Sequence, residues 1–69
     1  MYNIFIGKKL IACFTLLKDA RAYINHVMVS QLSRRGFDLV AINFPRHGEP
    51  QKYTFGKFGI YIVVSISKD

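Results

Sequence analysis

The chain has 69 residues, with ten Lys or Arg against four Asp or Glu, a net charge of +6 and an isoelectric point near 9.8. That length holds one domain, residues 1–69, and a core near the lower limit for independent folding. A hydrophobic content of 51% excludes disorder, and a single cysteine excludes an internal disulfide scaffold.

Tyr2 to Ile6 has strand composition, as does Leu10 to Thr15. Gly7-Lys8 between them predicts a β-hairpin, with Gly7 supplying the positive φ that a type II′ turn needs at its first position. Leu10, Ala12 and Phe14 share one face of the second strand. Leu17, Ala20, Ile24, Val27, Met28, Gln31 and Leu32 recur at three- and four-residue spacing, the stripe of an amphipathic helix from about Leu16 to Arg35. Thr15 stands at the N-cap or just before it, and Gly36 ends the helix in a left-handed conformation.

Phe37 to Phe44 reads as a third strand, and Pro45 to Gln51 as a loop with two prolines and a glycine. Tyr53-Thr54-Phe55, Gly56-Lys57 and Phe58 to Ile66 form the last β segment. Ile60, Ile62, Val64 and Ile66 alternate there with Tyr61, Val63 and Ser65. Gly56 and Gly59 make either a tight turn or a bulge in one bent strand. The predicted fold is α+β in the order β-β-α-β-β: an antiparallel sheet of three to four strands with one amphipathic helix on one face. Its other face presents Phe5, Ile11, Cys13 and Tyr61 to solvent or a partner.

Catalysis has little support. His26 and His47 have no paired carboxylate, Cys13 lies in an apolar run that reads as a buried, inert thiol, and a Cys13–His26 dyad lacks an orienting group. One cysteine and two histidines at these spacings match no closed metal site, and no cofactor motif is present. The longest apolar run, Ile60 to Val64, is too short to span a bilayer, and no signal-peptide pattern opens the chain. The reading is therefore a cytoplasmic binding protein with no membrane partner.

The charge predicts an anionic partner. Lys8 and Lys9 sit on the first hairpin turn, and Arg34 and Arg35 at the end of a helix that returns toward it. These four cations should share one end of the domain, with the Arg46-His47-Gly48-Glu49 loop at the other, and Lys57 joins them as a partner-binding residue.

Ile4-Phe5-Ile6-Gly7 and Gly56-Lys57-Phe58-Gly59-Ile60-Tyr61-Ile62 resemble the two signatures of the RNA-recognition motif. That resemblance implies base stacking by Phe5, Phe58 and Ile60. The order of Gly and Lys is swapped relative to the motif, an extra strand precedes the helix, and no second helix follows. The architecture as a whole, with Ala20-Arg21-Ala22-Tyr23 running through Gly36-Phe37-Asp38-Leu39-Val40, resembles the small inhibitors that phages and mobile elements direct at host machines. RNA polymerase inhibitors and anti-CRISPR proteins are examples. That resemblance implies steric blockade of a protein or nucleoprotein with an acidic surface. Two alternatives stand beside it. One is direct RNA or single-stranded DNA binding through those cations, with Tyr53, Phe58 or Tyr61 stacking on bases. The other is a structural homodimer formed by the open sheet face.

Overall fold

A computed structural model describes residues 1–43 and 51–68. The elements are β1 (Tyr2–Ile6), β2 (Lys9–Phe14), one continuous helical rod, β3 (Asp38–Asn43), β4 (Gln51–Lys57) and β5 (Ile60–Lys68). The strands form one antiparallel sheet in the order β2-β1-β5-β4-β3. The rod starts against β1 and β2 and ends against β3, so it crosses one face of the sheet diagonally.

The α+β class and the single helix are as expected, but the strand count and order are not. Among the described residues there are five strands, in the order β-β-α-β-β-β. The final β segment is two strands joined by a tight turn. That turn centres on Phe58-Gly59, because Lys57 pairs with Ile60 across it. Gly56 lies inside β4 for a different reason. A Cβ there would meet the Tyr61 ring at 3.0 and 3.1 Å, so the glycine makes room for the aromatic residue paired with it.

The rod consists of α1 (Leu17–Ala22), a π-helical stretch (Tyr23–Met28) and α2 (Val29–Arg34). Ala20, Ile24, Met28 and Leu32 are its buried residues, a strict four-residue repeat. In an α-helix, at about 100° per residue, such a repeat drifts about 40° further round at each step. The wider π turn, in which Val29 N–H donates to the Ile24 carbonyl five residues back, turns it back toward the sheet. The same widening explains a correction. Val27 and Gln31, placed on the stripe by three-residue spacing, face outward, and Val27 is 37% exposed. Leu17 is half-buried.

The two rod ends differ. Leu16 occupies the N-cap with no side-chain cap, which leaves Thr15 just outside it. At the C-terminus Gly36 N–H donates to Ser33 O at 2.9 Å and Phe37 N–H to Leu32 O at 2.9 Å. With Gly36 at φ +87°, this is a Schellman motif.

The core joins the helix stripe to Ile4, Tyr53, Phe55, Val64 and Ile66 of the three central strands. Register places Ile4 opposite Ile66 and Tyr53 opposite Val64. Each edge strand carries a register shift. In β2 it falls at Ile11, so Ile11 packs toward the core and exposed Leu10 leaves it. In β3 it falls at Val40, which lies exposed on the open face near Gly56. Such irregularities blunt edge strands against further pairing. The open face carries half-buried Phe5 and exposed Tyr61 and Val63, as well as Cys13 opposite Asn3. Cys13 is exposed, not buried, because strand alternation turns it away from the helix.

Candidate functional site

Strand register settles which residues share an end. Ile6, the last residue of β1, is level with Val64, and Gly7 N–H donates to Val63 O at 3.2 Å. The β4–β5 hairpin continues past that level to Ile60, four residues further, or roughly 13 Å at the usual strand rise. Beyond that level β5 has no β1 neighbour, whereas β4 keeps β3 beside it up to Asp38 opposite Gly56, so only the Lys57–Ile60 pair and its turn stand clear of both strands. Phe58 is 96% exposed there, Ile60 62% and Tyr61 64%.

The tip turn has an unusual residue at its apex. Phe58 and Gly59 have φ +47° and +79°, the sign pattern of a type I′ turn, for which Asn-Gly is the preferred pair. Among the described non-glycine residues only Phe58 has positive φ. The left-handed region costs a residue with a Cβ about 1–2 kcal/mol. The other hairpin shows the ordinary solution. Its first turn residue is Gly7 at φ +58°, and Lys8 has negative φ, as expected for type II′.

Cations lie beside the hairpin on one side and further down the strands on the other. Exposed Lys8 and Lys9 lie at the β1–β2 turn on the outer side of β5. Exposed Arg34 and Arg35 lie on the helix side, beside β4, because Lys57 Nζ donates to the Arg35 carbonyl at 2.8 Å. The two pairs share one end of the domain, about three strand spacings apart across the sheet, or roughly 14 Å, with Lys9, level with Ile6 and Val64, set further down the strands than Lys57. Exposed Asp38, at the start of β3, is an acid at the same end.

Lys57 itself is half-buried and committed within the fold. Besides its bond to Arg35, it stands 5.8 Å from the centre of the Phe37 ring. It ties the hairpin to the helix C-terminus, whose partial negative charge favours a cation there. Tyr53, expected from the sequence to stack on bases, is 2% exposed and belongs to the core, so its ring has no face to offer a base. Arg21 Nε donates to Gln51 Oε1 at 3.1 Å, and Tyr53 Oη donates to the same oxygen over a long 3.5 Å. Burial raises the Tyr53 phenol above its ordinary value, and nearby Arg21 partly offsets this. Phe5 lies lower on the open face, opposite Ser65.

His26 is exposed on the helix and Cys13 on the opposite face of the sheet, so the sheet separates them and they form no dyad. His47 and the Arg46–Glu49 loop lie outside the described residues. The described residues contain no group of three His, Cys, Asp or Glu side chains able to hold a metal ion, and no helix long and apolar enough to cross a membrane.

Ile60 is the tip residue that the sequence pattern groups with Ile62, Val64 and Ile66. Its alternation with Ile62 and Val64 is genuine, but it lies beyond the helix that covers them. That depends on where the rod ends relative to the hairpin, which no local pattern encodes. Compared with protein-family models, curated proteins and solved structures, the chain matches none.

Proposed function

We propose that this chain is a non-enzymatic binding protein, an inhibitor or adaptor that docks its projecting hairpin end on a larger protein or nucleoprotein and blocks it sterically. One observation carries the reading: Phe58, Ile60 and Tyr61 stand exposed at the end of the domain that also carries two cationic pairs. Apolar and aromatic anchors inside a charged rim are the anatomy of a protein interface. The cations select an acidic surface and speed encounter, while the apolar tip supplies the contact that holds. The protrusion suits occlusion of another molecule's cleft. Base stacking is less well supported, since Tyr53 is buried and Lys57 is engaged within the fold.

The test is retention of proteins from a host lysate on the immobilised chain, compared with a Lys8→Glu/Lys9→Glu/Arg34→Glu bait at low and high salt. The account expects a protein retained at low salt by the wild-type chain and lost from the charge-reversed bait. It also expects labelled RNA and single-stranded DNA to bind only weakly. Tight, salt-sensitive nucleic-acid binding with no retained protein is the result that would replace this reading with the nucleic-acid one.

A further inference from the structure

We infer that Phe58 is a preorganised anchor, a single aromatic side chain that inserts into an apolar pocket rimmed by carboxylates on the partner protein. The inference rests on the docking reading and names the chemistry that the docking end recognises.

Three observations support it. Phe58 is 96% exposed, so its ring gains almost nothing from the fold. Its backbone stands at φ +47°, a region in which a bulky residue is an outlier. The position is also one that Asn fills readily before Gly, and Gly59 follows at φ +79°. The fold thus carries strain at this residue with no contact inside the chain to offset it. Strain of that kind persists where the surroundings impose it, and it collects at binding sites. Any gain from the ring must come from outside the chain.

The setting defines the occupant. The turn has only two residues and is closed by the Lys57–Ile60 pair, so the ring is presented from a short, fixed support. A rigid aromatic loses little freedom on burial, which makes it an efficient anchor. Ile60 on the helix-side face and Tyr61 on the open face extend the apolar surface behind it, with Arg34 and Arg35 beside the hairpin and Lys8 and Lys9 further down across the sheet. The complement of a projecting ring with cations beside and below it is a hydrophobic pocket surrounded by Asp and Glu.

The experiment has two arms. In the first, thermal unfolding of the full chain is compared with Phe58→Asn, which suits the left-handed turn, and Phe58→Ala, which removes the ring but keeps a Cβ. Asn should raise the midpoint by about 4–8 °C, the shift expected in a domain of this size from relieving such strain, with Ala in between. In the second, a random-peptide display library is selected on the immobilised wild-type chain, and the enriched peptides are synthesised. They should combine several Asp or Glu with an apolar cluster, and Phe58→Asn should weaken their binding about thirty-fold, as for loss of a hot-spot side chain. An unchanged or lower midpoint for Phe58→Asn would show that the turn holds no strain. Peptides that lose binding on Lys8→Glu/Lys9→Glu but bind Phe58→Asn unchanged would leave the docking end standing and remove the anchor. Enriched peptides indifferent to both changes, or no enrichment, would remove the docking reading as well.

Discussion

The β4–β5 hairpin is two regions written in one pattern. In its lower half Tyr53, Phe55, Val64 and Ile66 share one face, with Tyr53 opposite Val64, and all four are buried under the helix. In its upper half Ile60 continues the same face of the same strand, yet it stands mostly exposed, with Phe58 fully so at the apex. Strand pairing is unbroken across the whole hairpin, so local structure does not distinguish the halves. What distinguishes them is cover. The helix ends at the Schellman turn of Gly36, and β1 ends at Ile6, level with Val64. Apolar alternation defines the faces of a strand; the length of its neighbours decides how much of each face is wet.

The comparison is sharpened first by paired truncations. Phe55→Ala and Ile24→Ala should each cost about 2–5 kcal/mol, as other large buried side chains do, and in a domain this small either one threatens folding. Ile60→Ala, an apolar truncation on the same hairpin, should stay within about 0.5 kcal/mol. Denaturant unfolding of the three variants reads both. Comparable losses would mean that the tip is packed rather than presented.

Gly36→Ala comes next, because it acts on the feature that ends the cover. At φ +87° an added Cβ strains the backbone, and it would meet Lys57 Cε at 3.1 Å. The expected cost is about 1–2 kcal/mol. It should be accompanied by faster amide exchange at Phe37, whose N–H closes the Schellman turn.

The opposite end of the rod can be improved. Leu16 caps the helix with no side-chain acceptor and is exposed, so Leu16→Ser or Leu16→Asp should stabilise the fold by about 1 kcal/mol. Thermal unfolding measures this, and no change in tip behaviour is expected.

A smaller, pH-dependent effect arises at the buried Tyr53. Burial raises the Tyr53 phenol above 10.0, so the neutral form is favoured in the folded state. The corresponding stability is complete below the ordinary tyrosine range and is lost as pH rises through the raised folded value. Tyr53→Phe should flatten this alkaline fall, as read by denaturant unfolding across alkaline pH.

Much of this architecture is legible in the residues. The Gly7 turn, the Gly36 stop, the single helix and the shared cationic end all follow from local chemistry and connectivity. The π-helical stretch is not legible. Its trace is the strict spacing of Ala20, Ile24, Met28 and Leu32, but Val27 and Gln31 offer an equally periodic alternative until the sheet selects a face. The position of the second hairpin turn was hidden because Gly56 and Gly59 both suggest a turn, and only the Tyr61 ring packed over Gly56 distinguishes them. Cys13 carries two conflicting signals: its apolar run suggests burial, while strand alternation puts it on the open face, where it is exposed. At the candidate site, Phe58 was named as an aromatic for stacking, but its strain and exposure depend on the backbone, and the burial of Tyr53 depends on the helix above it.

The central claim is that the projecting end, not the open sheet face, receives the partner. Amide chemical-shift mapping of the isotope-labelled chain, titrated with an acidic peptide selected on it, tests this directly. The account predicts that the shifts concentrate at Lys8 and Lys9, at Arg34 to Gly36 and at Lys57 to Tyr61. Shifts concentrated instead at Asn3, Phe5, Cys13 and Ser65 would place the partner on the open face and contradict it.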